Sequence, residues 1–312
     1  MQQHDREQAQ PLRNSPTYQE MPDSLAYNLG CPAWADASWT GTLFTRSAKK
    51  DDFLPQYSSV FNTVEGNTTF YATPTADKVR TWANDAAPGF RFALKFPKAI
   101  SHERQLLNAE AETAAFLELL DILEKTNRLG PSFLQLGPNY SYQQFDALAN
   151  YLQKLPKRFP YALEVRHRDF YDGGRKEQAL DSLLVDLKID KVLFDSRPLF
   201  SAPPTDDYEA GAQQRKPKTP IRYTLTGTQP MLRIIGRNQL DLVQPWLDEW
   251  APIVAKWIAD GLKPYVFLHT PDDLYAPELA RRFHTTLLQC APQVGTLPPF
   301  PSEREIRQRE LF

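Results

Sequence analysis

Cysteine is scarce in this 312-residue chain, which carries only Cys31 and Cys290. Two thiols make no disulfide framework, and without a CxxC pair or a Cys/His cluster nothing signals structural zinc. A reducing compartment is the simplest fit. Long apolar runs are missing as well: no stretch reaches the roughly 18 consecutive apolar residues of a membrane helix. The polar opening MQQHDREQAQPLRNSPTYQEMPDS has no apolar segment or small-residue cleavage site and does not read as a secretory signal. The expectation is a cytoplasmic protein with no membrane partner. Positive charge is not in excess: 36 Lys and Arg stand against 38 Asp and Glu, a net charge of -2. That balance makes a nucleic-acid partner unlikely on charge alone, because such binders present a basic surface. Neither GxGxxG nor a Walker sequence occurs, so the marks of an open nucleotide-binding sheet are lacking.

What the chain does contain is a regular alternation. Short runs rich in β-branched and aromatic residues begin at Ala26, Val60, Phe90, Ser132, Tyr161, Lys191, Met231 and Pro264. They recur about every 30 to 40 residues, the length of a strand plus a crossover helix. Helix-period segments fill the gaps over 75–84, 109–125, 142–153, 176–188, 240–259 and 277–289. Alternating strands and helices imply parallel strands with right-handed crossovers. Eight such units predict a single-domain α/β protein, a (β/α)8 TIM barrel, over 26–291. Residues 1–25 read as a disordered arm and 292–312 as a C-terminal tail. The Pro-rich segment 198–229 reads as a surface insertion, either a solvated excursion or a lid.

Barrel enzymes carry their chemistry at the C-terminal ends of the strands, so the polar residues there become the candidates. They are Glu65 and Asn67 after strand two, Lys95 on strand three and Gln135 on strand four. Glu164, Arg166 and His167 follow on strand five and Asp195 on strand six. Arg233 and Arg237 come from strand seven, and His269 ends strand eight. Trp34 and Tyr71, with Phe70, are expected to wall the mouth. Cys31 at the end of strand one reads more readily as a buried, inert thiol than a reactive one. Guanidinium and ammonium groups around one opening suit a carboxylate or phosphate, so a small anionic ligand is implied. Glu65, Glu164 and Lys95 are then the proton-transfer candidates, with the rest binding substrate. Arg233, reaching across the barrel, is expected to be the cation left without a partner. Glu65, Glu164, Asp195 and His269 also form an oxygen-rich set that would suit Mg or Mn, but nearby arginines oppose a divalent cation. No cofactor is therefore expected.

The stretch FNTVEGNTTFYATPTADKVRTWANDAAPGFRFALKFPKAISHE at 61–103, with LGCPAW at 29–34, LEVRH at 163–167 and MLRIIGRN at 231–238, resembles domain-of-unknown-function family 72, the YecE-like proteins. The resemblance implies a TIM-barrel fold and no assigned activity. It carries over Trp34, Glu65, Asn67, Phe70, Tyr71, Lys95, Glu164, Arg166 and Arg233 as site candidates. One departure stands out: FLHTPDD replaces the Asn-Asn-His pattern expected at the end of strand eight. The reading is an enzyme acting on a phosphorylated or carboxylated small molecule by Glu-based acid/base chemistry. The alternatives are a metal-dependent phosphodiesterase-like barrel acting on nucleic acid and a non-catalytic scaffold whose mouth charges are all internally paired.

Overall fold

The computed structural model describes residues 25–310; the arm expected before them lies outside, apart from Leu25. Among the described residues the apolar runs become β1 (Asn28–Gly30), β2 (Thr63–Gly66), β3 (Arg91–Leu94), β4 (Ser132–Gln135), β5 (Tyr161–Glu164), β6 (Asp190–Asp195), β7 (Met231–Ile235) and β8 (Tyr265–His269). Between and after them lie α1 (Lys50–Ser58), α2 (Thr68–Tyr71), α3 (Ala76–Asp85), α4 (Glu110–Lys125), α5 (Phe145–Lys154), α6 (Arg175–Leu187), α7 (Asp207–Arg215), α8 (Gln244–Ala259), α9 (Ala276–Cys290) and α10 (Pro301–Glu310). The fold is α/β. Six strands form a parallel half-barrel sheet in the order β1-β8-β7-β6-β5-β4, and β2 pairs with β3 in a second parallel sheet. The expected continuous eight-stranded sheet is met only in part.

The period-2 geometry of a strand explains both faces of this wall. Leu94, Leu134, Leu163, Leu193, Leu232, Ile234, Val266 and Leu268 join the main core outside it. Ala93, Phe133, Ala162, Val192, Met231, Tyr265 and Phe267 form a separate buried cluster on the other face. That inner cluster is an apolar floor. Two residues further along each strand, on the same face, the chain places Lys95, Gln135, Glu164, Phe194, Arg233 and His269. The floor and the polar layer above it are thus a consequence of one alternation, written in six strands.

Two segments differ from their sequence reading. The segment 292–312 is not a tail over its described part, because Val294 and Phe300 are in the core. Phe300 lies 6.3 Å from the Phe61 ring and 3.9 Å below the Arg281 guanidinium. At the start of α10, Ser302 donates its hydroxyl proton to the Thr42 carbonyl. The insertion 198–229 is not simply solvated either. It contains α7, which buries Ala212 and Glu209, and its Ile221 and Leu225 pack on the core. A hydrophobic anchor and a buried charge together hold it down, and neither shows in a composition rich in Pro, Thr and Gln.

Candidate functional site

Arg233 on β7 is the centre of the polar layer. Its Nε and Nη2 donate to Oε2 and Oε1 of Glu65, each at 2.7 Å, and its Nη1 donates to Glu164 Oε2. All three side chains are buried. The register Gln135↔Glu164 then sets Arg166, one step above Glu164, between them. Arg166 Nε donates to Glu164 Oε1 at 2.8 Å and Nη2 to Gln135 Oε1 at 2.7 Å. On the other side, Asn67 donates to Glu65 Oε1 at 2.8 Å and to the Pro32 carbonyl at 3.1 Å. His269 Nε2 lies 2.9 Å from Glu65 Oε2. Each oxygen of Glu65 therefore meets two partners, and each oxygen of Glu164 meets one guanidinium donor.

Electrostatics follow from this packing. Burial alone would raise the Glu65 carboxyl, but Arg233 and then His269 outweigh it and hold the group well below the usual carboxylate range. Glu164 is likewise penalised by burial, yet Arg233 and Arg166 bring it down to about 2. Two carboxylates locked ionised on guanidiniums are poor proton carriers near neutrality. This packing weighs against the expected use of Glu65 and Glu164 in acid/base chemistry, since neither environment pushes a carboxyl upward.

Lys95 has no carboxylate within ion-pair distance among the described residues. It is 7% exposed, and its amine stands 3.9 Å from the Phe70 ring centroid and 5.9 Å from that of Phe133. Among the described residues it makes no ion pair. Burial, followed by the field of Arg233, lowers its pKa to about 7. Lys216, just past α7, brings a second amine that forms no ion pair among the described residues; burial and then Arg233 push it down as well. The cluster thus holds Arg233, Arg166, Lys95 and Lys216 against Glu65, Glu164 and Asp273, whose carboxylate faces Lys216 and lies 3.9 Å from His269 Nδ1. The cation expected to be left over was Arg233, which instead is the most heavily paired; Lys95 takes that place.

Other candidates sit elsewhere. Asp195 shares its strand face with Leu193, not Phe194, and so points at α8. There it accepts from Trp250 Nε1 at 2.7 Å and from Arg197 Nη2 at 2.7 Å. Arg237 lies beyond the end of β7, where it holds Glu209 of α7 through Nη2 at 2.6 Å. His167 caps a short 3-10 turn, its Nδ1 accepting from the Asp169 backbone at 3.2 Å. Trp34 is in the core, edge-on to Trp82 and Phe92. Tyr71 is 81% exposed and touches the site only through Phe70, 5.1 Å away. Cys31 is buried, and burial pushes its thiol up, as expected of an inert one. Two observations weigh against the metal alternative: Asp195 is absent from the cluster, and Arg233 stands between Glu65 and Glu164.

Three contributors were missed. Phe194, facing Arg166 and Arg233 at 5.5 and 5.4 Å, looks like any core aromatic in the sequence. Lys216 lies in the polar insertion. His102 sits on a π-helical turn (Ala99–Glu103) directly after β3, a rare element often found at functional sites. Its ring is edge-on to Phe70 at 5.1 Å, and burial, then Lys95, lower it to about 4. The available signal was its place within the family-like block at 61–103.

The family "Protein of unknown function DUF72" matches residues 28–305 of this chain. The chain belongs to the DUF72 family. It is 34% identical over 278 residues to "UPF0759 protein YecE" of Escherichia coli (strain K12), covering 89% of this chain and 98% of that protein. The YecE protein of Escherichia coli O157:H7 matches equally, at 34% over 278 residues. A DUF72 family protein from Enterococcus faecalis V583 superposes with a TM-score of 0.61 at 19% identity, over 84% of this chain and 98% of that one. One from Thermotoga maritima MSB8 does so with the same score and coverage, also at 19% identity. At such identities these two structures establish the α/β fold alone. No helix among the described residues is long and apolar enough to cross a membrane.

Proposed function

We propose that this DUF72 protein is an enzyme acting on a small anionic molecule, phosphorylated or carboxylated, bound above the apolar floor. One observation carries the reading: the buried arginines pair with Glu65 and Glu164, leaving Lys95 as a largely desolvated amine that forms no ion pair among the described residues. An unpaired cation in such a place is the costliest state open to it, and an anion from solution relieves it. Arg166, 13% exposed beside the buried Glu164, and Lys216 supply further donors. Lys95, poised near neutrality, serves as the proton-transfer group in place of the carboxylates. Glu65, Glu164, Asn67, Gln135 and His269 hold the two arginines in position.

We also infer that the two sheets belong to one closed (β/α)8 barrel. Backbone hydrogen bonds bridge both seams: Glu65 N–H to the Cys31 carbonyl at 3.0 Å across the first, and across the second Phe92 N–H to the Arg128 carbonyl at 2.8 Å, Gly130 N–H to the Phe92 carbonyl at 3.0 Å and Phe96 N–H to the Phe133 carbonyl at 3.0 Å. Gly30 fits the first seam because a Cβ there would meet the Thr63 carbonyl oxygen at 2.3 Å.

Thermal unfolding in a panel of phosphate, sulfate and simple carboxylates tests the functional reading. Anion at about 100 times its dissociation constant should add about 2.7 kcal/mol, a rise of several degrees in Tm. Lys95→Met should lose that rise. If no anion in the panel moves the wild-type Tm at millimolar concentration, the reading fails and the scaffold alternative replaces it.

A further inference from the structure

Lys95 is held in place more firmly than an ordinary lysine. Its backbone N–H donates to the Gly66 carbonyl at 3.2 Å, and its carbonyl accepts from the Thr69 hydroxyl at 2.6 Å. A parallel bridge ties it to Phe133 on the other side. The backbone is therefore fixed from both neighbouring strands, and the amine rests against the face of Phe70. A lysine in a structural ion pair has its N–H bonds directed at a carboxylate; this one does not.

We propose that Lys95 is a nucleophile that forms a Schiff base with a small aldehyde or ketone carrying an anionic group, the anion resting on Arg166 and Lys216. The inference deepens the anion-site reading and depends on it for the substrate's charge. In the step, the amine lone pair forms a C–N bond to the carbonyl carbon, and the C=O π electrons move to oxygen. The amine gives up one proton and the oxygen takes one, giving a carbinolamine; loss of that hydroxyl as water with a second proton leaves a C=N iminium. Nothing is oxidised or reduced. His102 is placed to relay these protons. Its Nδ1 is 2.8 Å from the Ser101 hydroxyl, its Nε2 has no hydrogen-bond partner among the described residues, and its ring shares Phe70 with Lys95. The iminium is again a cation, so it inherits the contact that the ammonium makes with the Phe70 face. The groups around the amine are Glu65 from β2, Glu164 from the end of β5, Arg166 just after it, Arg233 from β7 and His102 after β3.

The test is reductive trapping on the full chain. Protein is incubated at pH 7.5 with sodium cyanoborohydride and either pyruvate, dihydroxyacetone phosphate or uncharged acetone, and the adducts are mapped by peptide mass spectrometry. The expected result is one adduct, on Lys95, forming about 10-fold or more faster than on surface lysines, because far more of a depressed amine is unprotonated at that pH. Pyruvate or the phosphate should label faster than acetone, and the faster of the two names the anionic group. Lys95→Arg, checked for folding by circular dichroism, should show only slow scattered labelling. Adducts spread over the lysines at similar rates in both proteins overturn the proposal. If anions raise Tm yet Lys95 is not trapped, the Schiff base is wrong and the anion site stands. If acetone labels Lys95 as fast as the anions do, the anionic part of the substrate is wrong.

Discussion

Arg233 and Glu65 meet across the site in two parallel hydrogen bonds of 2.7 Å, running from β7 to β2. The same guanidinium also holds Glu164, so removing it strands two buried carboxylates. Breaking a buried pair from one side costs about 3–5 kcal/mol. Arg233→Leu should therefore destabilise the protein by at least that much in urea unfolding. A loss below about 1 kcal/mol contradicts its role as the keystone of the cluster.

Acid and base act on different members of this cluster. Glu164, brought from 4.5 to about 2, keeps its full stabilisation above its unfolded value and loses it as pH falls from 4.5 toward 2. Glu65 shifts in the same direction. For Lys95, lowered from 10.5 to about 7, the unfolded chain binds the extra proton between those values. Stability should therefore rise with pH across that window in anion-free buffer. Urea unfolding from pH 6 to 10 checks the sign: Lys95→Met should flatten the rise, and equal slopes in the two proteins count against the depressed amine.

Much of the site was legible because strand periodicity carries side chains as well as backbone. Glu65, Lys95, Gln135, Glu164, Arg166, Arg233 and His269 were each found by asking which polar residues end an apolar run. Asp195 passed the same test and failed in the structure. Parity decides it, and the two faces of β6, with Val192 and Phe194 on one and Leu193 on the other, are equally apolar in the sequence. Arg237 failed because strand alternation stops at Ile235. Which cation remains unpaired depends on the rotamer of Arg233 reaching two strands at once, a three-dimensional fact with no local signature. The burial of Phe300 was missed because SEREIRQRELF outweighs one aromatic in any composition reading.

Phe300 supplies its own prediction. It is 3% exposed and packs on Phe61. Phe300→Ala should cost about 3–5 kcal/mol, as other buried Phe truncations do. Unfolding in denaturant measures this directly, and an unchanged midpoint would restore the expected free tail.

Asp195 separates structural charge from site charge. Asp195→Ala leaves the Trp250 indole N–H without its acceptor and Arg197 with Glu249 alone, and should cost about 1–3 kcal/mol. Because Asp195 faces α8, the increase in Tm produced by anions should survive in the variant. Loss of that increase would return Asp195 to the site.

The most direct measurement of the central claim is a crystal structure of the protein soaked in phosphate. The account predicts a tetrahedral anion above the apolar floor, with an oxygen about 2.7–2.9 Å from the Lys95 amine and a second contact from Arg166 or Lys216. Glu65 and Glu164 should remain on Arg233. A phosphate-free amine with a carboxylate turned onto Lys95, at concentrations well above those used for the thermal panel, would contradict it.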